Sequence, residues 1–386
     1  MQTTFNPPKR LKIVGAVLFV IGIAALVTGF LTDPDRTWSN ILLNNLYFLT
    51  IAIGAMMFYG IQFITQSSWS AMFQRIPLSL GTFMPVAFIL MLLIFFGLEH
   101  IYEWAEPGIM DTDKLLKHKS PYLNVPFFMI RMVIYFALWI VLWAKLRKLA
   151  LQEDRFADGE LYLQSAKYGR IFVFAAVLLF SLAGIDWLMT IDAHWYSTMF
   201  GFRTMITSMY YGVASIVLII LFLNKAGYFP QMNEAHLHDL ARYLFRFSIV
   251  WGYLWFMQFL ITWYANIPEL TVYYHPRFLG EWKVVFYADF FINFAIPFLS
   301  LISDDLGRKK FTLISMSVLL MIGLWIMLYL AIMPGSYGQM KFGFIEVGMW
   351  LGYFGLFIIL TFEMLSKSTI VPVNHPQLNE SYHHHL

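Results

Sequence analysis

The sequence has no cysteine and few charged residues. The missing cysteines exclude disulfide bonds, thiolate-bound metals, iron–sulfur clusters and covalently attached c-type haem. Only 13% of the 386 residues are charged, whereas 59% are hydrophobic. Soluble domains have about a quarter of their residues charged. This composition indicates a chain that is embedded in a membrane.

Ten apolar runs reach the length of about 20 residues that an α-helix needs to cross a bilayer. Apolar residues are continuous within each run and do not alternate with polar ones, which disfavours a β-barrel. We therefore predict an all-α polytopic membrane protein with about ten transmembrane helices. The predicted spans are roughly Leu11–Leu31, Ile41–Ile64, Leu80–Leu98, Val125–Ala144, Arg170–Met189, Arg203–Leu223, Ala241–Tyr264, Lys283–Ile302, Phe311–Ile332 and Phe344–Leu365.

Lysine and arginine predict the orientation, because cytoplasmic segments are enriched in both. With a cytoplasmic N-terminus, the inner segments hold 17 of the 26 basic side chains and the outer segments hold 8. Both termini are then cytoplasmic. The net charge of +3 follows from this asymmetry and gives no reason to expect a nucleic-acid partner. Ten spans in this orientation would allow two related four-helix bundles with one flanking helix each.

Histidine is badly placed for haem. A membrane-bound b-type haem takes its axial ligands from within the helices. Here the histidines before the terminal triplet all fall at span ends or in loops: His100, His118, His194, His236, His238, His275 and His375. We therefore expect no redox centre and no metal site in this chain.

Ionisable side chains gather in the outer third of the predicted membrane region. The third span ends outward at Glu99 and His100, and the fifth ends outward at Asp186. Arg131 lies about 10 Å inside the fourth span, at 1.5 Å per residue, and Asp289 lies about two turns inside the eighth. Because ionisable groups within a membrane are costly and commonly functional, these residues are candidates for a proton pathway.

Two interpretations of this group stay open. In the structural one, Arg131 pairs with a single carboxylate, Asp186 or Glu99 by depth, and fixes neighbouring helices together. In the functional one, burial and the arginine charge set the pKa values of a proton-exchange site. Asp192 and His194 follow the fifth span and are interpreted as residues of a solvated loop, with His194 near the outer mouth of the pathway.

A stand-alone secondary transporter is an alternative from a different functional class. Transporters commonly have helices that are broken near the bilayer midplane. Pro85 in the third span and Pro297 in the eighth are weak signals of such breaks. The midplane carries no dense cluster of charges in this sequence.

Three segments resemble a known family. They are Ser70–Ser79 (SAMFQRIPLS), Asp186–Ser197 (DWLMTIDAHWYS) and Trp255–Glu269 (WFMQFLITWYANIPE). Together they resemble the ActF-type integral membrane subunit of bacterial alternative complex III, within the wider NrfD/PsrC-like family. The resemblance covers roughly Asn40 to Leu365, and its most specific parts are the Asp-Trp-Leu-Met and Trp-Tyr-x-Asn-Ile-Pro-Glu segments.

The resemblance implies a fold of two four-helix bundles, helices 2–5 and 6–9, flanked by helices 1 and 10. The chain would then be a single integral membrane domain, 1–386, with four parts. These are a tail and helix 1 at 1–39, the first bundle at 40–189, the second bundle at 190–332, and helix 10 with a C-terminal tail at 333–386.

The resemblance also implies a respiratory complex in the bacterial inner membrane that oxidises quinol and passes electrons to cytochrome c or to a terminal oxidase. Partner subunits would carry the iron–sulfur and c-type haem centres, and a paralogous membrane subunit would be present. In this family the paralogue ActC is the better candidate for quinol oxidation. The resemblance implies that the ligand of this chain, if it binds one, is menaquinol or another quinol.

We therefore expect a scaffold subunit without a redox centre of its own, and proton conduction is the hypothesis that its ionisable residues raise. The alternatives are direct quinol binding, with His100 or Asp186 accepting the proton, and stand-alone transport. The candidate residues of the proton pathway are Asp186, Asp289, Arg131, Glu99, His100 and His194.

Overall fold

The computed structural model describes residues 4–385, and these residues form an all-helical protein. Within them there is no β-strand, only an isolated bridge between Thr4 and Thr369. Ten helices are long and apolar enough to cross a membrane, which confirms the all-α prediction and indicates a multi-pass membrane protein. We number them in chain order as Lys9–Thr32 (α1), Pro34–Ile64 (α2), Arg75–His100 (α3), Val125–Glu153 (α4), Gly159–Trp187 (α5), Thr198–Lys225 (α6), Glu234–Trp263 (α7), Lys283–Leu301 (α8), Lys310–Ser336 (α9) and Phe344–Ser366 (α10).

Several helices extend beyond the predicted apolar runs. α2 begins at Pro34 and not at the predicted Ile41, because the Asp33 carboxylate accepts a hydrogen bond from the Arg36 backbone N–H. Proline suits the first helical position, where no N–H partner is needed. Hydropathy therefore marks the apolar part of a helix and misses its polar end. Short helical segments lie between the long helices, at Ser68–Phe73, Glu103–Ala105, Ile109–Thr112, Lys114–Lys119, Met189–Asp192, Pro268–Thr271, Tyr274–Leu279 and Asp304–Gly307, and another, Leu378–Tyr382, follows α10.

α2 is the central helix, and the most apolar part of it is completely buried. It crosses α6 at a pair of glycines. A Cβ on Gly54 would lie 1.7 Å from the Ser208 carbonyl oxygen, and a Cβ on Gly212 would lie 2.4 Å from the Gly54 carbonyl carbon. Small residues let two backbones approach closely where lipid gives no hydrophobic drive for association. The glycines therefore set the distance between α2 and α6.

Glycines also join α1 to α10. A Cβ on Gly22 would lie 2.3 Å from the Gly352 Cα atom, and a Cβ on Gly355 would lie 2.5 Å from the Gly15 carbonyl oxygen. Only 22% of the most apolar stretch of α1 is buried. α1 is thus held by one face, and its remaining surface is apolar and exposed.

The other helices contact one another in two sets, and the two sets are joined where α5 packs against α6. α2 packs against α3 and α5, and α4 contacts both of these helices. α6 packs against α7 and α9, and α8 contacts both of those. α2 also contacts α9 and α10, so it touches members of both sets. These contacts bring the ends of α4 and α5 side by side, and likewise the ends of α7 and α8.

Two of the long helices are interrupted. α3 consists of Arg75–Leu80, Phe83–Leu93 and a 3₁₀ segment, Ile94–His100. α8 changes from α-helix to π-helix over Phe291–Ala295 and then resumes as Ile296–Leu301. Such π segments often occur at functional sites.

The break in α8 has an identifiable cause. Pro297 has no N–H group, so the last turn before it loses a backbone hydrogen bond. The carbonyl of Asn293 instead accepts a hydrogen bond from the Tyr210 hydroxyl of α6 at 3.2 Å. The proline signal of the sequence therefore does mark an irregular helix.

Both described chain ends lie on one face of the protein, which we call the terminal face. Thr4 bridges Thr369, and the Val373 N–H donates to Asp154, in the loop between α4 and α5, at 3.0 Å. The Ser381 hydroxyl donates to the Trp69 carbonyl, between α2 and α3, at 2.7 Å. The C-terminal segment thus packs across the terminal face. The other end of the protein is the opposite face.

Candidate functional site

A buried ion pair joins α4 to α5 near the opposite face. Arg131 Nε donates to Asp186 Oδ2 at 2.8 Å, and Arg131 Nη2 donates to Asp186 Oδ1 at 3.1 Å. The pair is therefore bidentate, the strongest arrangement for an arginine and a carboxylate. The exposed fractions of the two side chains are 9% and 1%. Of the two partners left open by the sequence, Asp186 and Glu99, the structure selects Asp186.

The Asp186 carboxylate has no free acceptor capacity directed at a cavity, because two tyrosines complete its hydrogen bonding. The Tyr122 hydroxyl donates to Oδ1 at 2.7 Å and the Tyr135 hydroxyl to Oδ2 at 2.9 Å. Burial, and then the negative charge of Asp186, raises the pKa of Tyr122 well above its usual value, so this phenol remains protonated at neutral pH. The guanidinium of Arg131 also stacks on the Tyr122 ring, with Cζ 3.9 Å from its centroid. This arrangement favours helix pairing over proton exchange.

A second, looser ion pair joins α6 to α8. Asp289 is fully buried, and Arg203 Nη2 lies 3.7 Å from its Oδ2 atom, beyond hydrogen-bond length. Trp255 Nε1 donates to Oδ2 at 3.0 Å, and Asn293 Nδ2 donates to Oδ1 at 2.9 Å. The carboxylate therefore accepts hydrogen bonds from two neutral donors, and the positive charge of Arg203 lies 3.7 Å away without a hydrogen bond.

The helices around Asp289 carry buried polar groups without partners. Within the described residues, the amide nitrogen and oxygen of Gln258 (α7), the Tyr211 hydroxyl (α6) and Asn293 Oδ1 (α8) form no hydrogen bond. Buried polar groups in native proteins almost always bind either protein or ordered water. A cavity of about 40 Å³ touches Arg203 and Asp289. A water molecule needs roughly 10–15 Å³, so the Asp289 site has room for water.

Glu99 and His100 lie apart from both ion pairs. Glu99 is exposed and forms no hydrogen bond or ion pair with any residue of the range 4–385. His100 Nδ1 lies 2.6 Å from Asp35 Oδ1, and its ring stacks on Trp38, both in α2. The structure therefore does not bring the six predicted residues into one cluster. It distributes them over separate contacts, because residues at one depth can still face different neighbours.

His194 lies in an exposed group of ionisable side chains on the opposite face. His194 Nε2 is 2.7 Å from Asp113 Oδ2, and Nδ1 is 3.4 Å from Glu103 Oε2. The backbone N–H of Leu116, followed by the His194 ring, lowers the pKa of the Asp113 carboxyl below its usual value. His194 is thus solvated, as interpreted from the sequence, and it also has two acidic partners.

Asp192 differs from its interpretation as a solvated loop residue. Its side chain is only 21% exposed and accepts a hydrogen bond from Arg277 Nη2 at 2.9 Å. Arg277 is itself 1% exposed, and it also donates to the carbonyls of Tyr273 at 2.6 Å and Leu330 at 2.9 Å. The loop after α7 folds back into the protein and buries this arginine, which no local sequence pattern indicates.

Arg203 is the second arginine that the sequence argument missed, because it stands at the predicted start of a span and was assigned to an outer segment. A signal for it does exist. Arg203, Thr207 and Tyr211 recur every four residues, so they share one face of α6. An arginine that begins such a polar face points into the protein and needs an acidic partner.

A cleft of about 310 Å³ lies beside the Arg131–Asp186 pair on the opposite face. Its lining includes His118, Lys119, Tyr122 and Trp195. Lys119 Nζ donates to the Ala193 carbonyl at 2.6 Å, and burial lowers the pKa of this lysine. Tyr122 connects the cleft to Asp186, because its ring lines the cleft and its hydroxyl reaches the carboxylate.

Within residues 4–385, no group of three or more His, Asp or Glu side chains is placed to hold a metal ion. Comparison with protein-family models and with curated proteins gives no match for this chain.

Proposed function

We propose that this chain is an integral membrane subunit of a bacterial quinol oxidoreductase complex. It scaffolds the complex and conducts protons between its helices. Partner subunits would hold the iron–sulfur and c-type haem centres, and cytochrome c or a terminal oxidase would accept the electrons. The cysteine-free sequence and the resemblance of three segments to the ActF-type family support this proposal. The ten helices able to cross a membrane are compatible with it.

We also propose that α2–α5 and α6–α9 form two four-helix bundles, flanked by α1 and α10, with the terminal face in the cytoplasm. The reciprocal contacts within each set of four helices support the grouping. The excess of lysine and arginine in the segments of the terminal face supports the orientation, since basic residues favour the cytoplasmic side.

The Asp289 site is the observation that carries the proton-conducting part of the proposal. Its carboxylate is buried, its arginine stands 3.7 Å away without a hydrogen bond, and a cavity large enough for water touches both. The cavity is also lined by Thr204 and Thr207 of α6, whose hydroxyls can bind such water. A carboxylate in these surroundings can exchange a proton with water, and Arg203 compensates its charge when the proton leaves.

The test uses the intact assembly in proteoliposomes, with the ratio of protons taken up per electron transferred as the readout. Asp289→Asn should reduce this ratio while the complex still assembles and oxidises quinol. Asp305→Asn is the matched control, because it removes the same negative charge from a residue that is exposed on the terminal face. An unchanged ratio in Asp289→Asn would remove the support for proton conduction.

Purification tests the subunit assignment. An affinity-tagged chain extracted gently from native membranes should retain partner subunits that contain c-type haem and iron–sulfur centres. Isolation of a lone chain with a bound solute would instead support the stand-alone transporter.

Direct quinol binding is a second candidate, and the cleft beside Tyr122 is the observation that favours it. The volume of the cleft lies within the usual range for ligand sites, about 300–1,000 Å³. Tyr122 links the cleft to Asp186. If quinol binds there, Tyr122→Phe should raise the KM for quinol, because the ring that lines the cleft would lose the hydrogen bond that fixes it against Asp186. Tyr196→Phe is the control, since Tyr196 lines the same cleft and is 65% exposed. Equal kinetics in both variants would exclude the cleft.

A further inference from the structure

Four basic side chains lie near the terminal face, apart from both ion pairs and from the cleft. They are Arg242 and Arg246 of α7, and Arg308 and Lys309, which directly precede α9. Among residues 4–385 only Arg242 has an acidic partner, Asp239 at 3.6 Å, and the other three form neither an ion pair nor a side-chain hydrogen bond. We call these four residues the basic cluster. Most of its positive charges are unpaired.

The loop that carries Arg308 packs directly against α7. A Cβ on Gly307 would lie 3.0 Å from the Cβ of Ala241. Because Arg308 and Arg242 are the next residues of these two segments, the fold brings their charges close together. Like charges repel each other, so this arrangement favours an anion beside them.

The two arginines of α7 stand at the end of a stripe that faces outward. Exposed side chains of α7 recur at alternating intervals of four and three residues, which places them on one face of the helix. After the arginines the stripe is apolar and aromatic, and each member is more than a third exposed: Ile249, Tyr253, Phe256 and Leu260. In a membrane such a face contacts acyl chains. The basic cluster then lies at the depth of the phospholipid headgroups.

The neighbouring helix α8 presents a similar surface. Ile296 and Leu299 of α8 and Ile302 just after it are 39%, 66% and 57% exposed. α7 contacts this half of α8 and also the segment Asp304–Gly307 that follows it. Two apolar surfaces that face lipid therefore lead to the basic cluster.

Two buried groups beside the cluster lack a hydrogen-bond partner. His238 lies one turn before Arg242 and is 2% exposed, yet neither of its ring nitrogens forms a hydrogen bond among the described residues. The Nε atom of Arg308 is likewise buried and unpartnered. The charges of Arg242 and Arg308 both act on the His238 ring, so the three groups lie close together. Buried polar groups almost always have a partner, which indicates that a ligand with acceptor oxygens fits here.

The nearest carboxylate does not supply these acceptors. Asp304 Oδ1 lies 3.7 Å from His238 Nε2, beyond hydrogen-bond length, and the Asp304 side chain is 72% exposed. Asp305 is exposed as well. Solvent screens the charges of both aspartates, and it screens the half-buried Arg308 less.

We propose that the basic cluster binds the phosphate of an anionic phospholipid, whose acyl chains lie along the apolar faces of α7 and α8. Arginine donates paired hydrogen bonds to phosphate oxygens, and His238 can donate another. Basic pockets between transmembrane helices are known to suit such headgroups. Free phosphate would meet the same donors, but only a lipid also contacts the adjoining apolar faces. This proposal does not rest on the oxidoreductase assignment.

The experiment uses the full chain as purified from its native membrane, with any partner subunits that remain bound, in nanodiscs of dioleoyl phosphatidylcholine. Phosphatidylglycerol that carries a diazirine group in one acyl chain is the probe. Mass spectrometry of the crosslinked peptides gives the site. We expect crosslinks on α7 and α8 that excess unlabelled phosphatidylglycerol removes and that inorganic phosphate at the same concentration does not remove.

The double variant Arg242→Gln with Arg308→Gln should reduce the crosslink yield on α7 and α8 by roughly tenfold, because it removes two of the charges that hold the phosphate. Arg155→Gln with Arg170→Gln is the matched control, since both arginines are exposed near the terminal face beside α4 and α5. Arg170 also stands at the end of an exposed apolar stripe, which includes Phe174. The control should leave the yield on α7 and α8 nearly unchanged.

A single variant tests the buried histidine separately. His238→Asn keeps all four charges of the basic cluster and should reduce the crosslink yield by roughly threefold, the scale of one lost hydrogen bond. Its effect should be absent when the diazirine probe is phosphatidylcholine.

Four outcomes would overturn the proposal. An equal loss in the two double variants would indicate a general attraction of basic residues for anionic lipid. An equally strong crosslink from diazirine-bearing phosphatidylcholine, unaffected by excess phosphatidylglycerol, would assign these surfaces to ordinary lipid. Removal of the crosslink by inorganic phosphate would assign the cluster to a free anion. Unchanged crosslinking in both the double variant Arg242→Gln with Arg308→Gln and His238→Asn would show that the headgroup binds elsewhere.

Discussion

Replacing Asp186 by asparagine should destabilise the protein more than the same replacement at Asp289. In the first variant, Arg131 keeps its charge inside a site that is 9% exposed, and the bidentate pair is lost. Removing one partner of a buried ion pair costs about 3–5 kcal/mol, because the remaining charge is uncompensated. At Asp289 the arginine is not hydrogen-bonded to the carboxylate, and the adjoining cavity has room for water that can solvate the arginine. We expect about 1.5–3 kcal/mol there, the scale of hydrogen bonds to a charged group.

Equilibrium unfolding in mixed detergent micelles measures both free energies. The double variant Arg131→Met with Asp186→Leu should recover most of the stability lost in Asp186→Asn, since no unpaired charge remains. Tyr135→Phe removes one hydrogen bond to the carboxylate and should cost about 0.6–1.7 kcal/mol. Equal losses in Asp186→Asn and Asp289→Asn, or no recovery in the double variant, would refute the distinction between a tight structural pair and a loose hydrated one.

Two further predictions concern the packing of α1 and the terminal face. Gly352→Leu should detach α1 from α10, since even a Cβ at this position would lie 2.5 Å from the Gly22 Cα. The measurement is protease cleavage between α1 and α2, which should increase. Gly159→Leu is the control and should leave cleavage unchanged, because nothing lies within 4 Å of a Cβ at Gly159. Burial, and then the charge of Arg75, lowers the pKa of His375 to about 4 from its usual 6.5. The folded protein therefore binds a proton at His375 less readily than the unfolded chain does. The free energy of unfolding is highest above pH 6.5 and falls by up to about 3 kcal/mol as the pH drops to 4. Proteolysis of the C-terminal segment should increase over this window, and His375→Asn should flatten the increase; a pH-independent rate in the parent protein would contradict the prediction.

The spans could be predicted from the sequence because a bilayer imposes one simple length and one simple polarity on each helix. The same physics gives the depth of Asp186 and Arg131, and it narrowed the partner of Arg131 to two carboxylates. Depth does not give the rotation of a helix about its axis. That rotation depends on how the helices pack, and it turns Asp186 toward Arg131 while Glu99 stays exposed.

The parts of the site that sequence reasoning missed depend on segments folding back or on water-sized spaces. Arg277 stands in a loop that looks solvated, and its burial follows from contacts with Asp192 and backbone carbonyls distant in sequence. The contrast between Asp186, whose arginine lies at 2.8 Å, and Asp289, whose arginine lies at 3.7 Å, is likewise a difference of less than an ångström. No pattern of residue types specifies such distances.

The most direct measurement of the central claim is the redox-induced infrared difference spectrum of the intact assembly. If Asp289 exchanges protons through a hydrated cavity during turnover, a carboxyl band should appear that shifts when the buffer is changed to D₂O. Asp289→Asn should abolish this band, and Asp305→Asn should leave it in place. A spectrum without any band that depends on Asp289, recorded from an assembly that still oxidises quinol, would contradict the account.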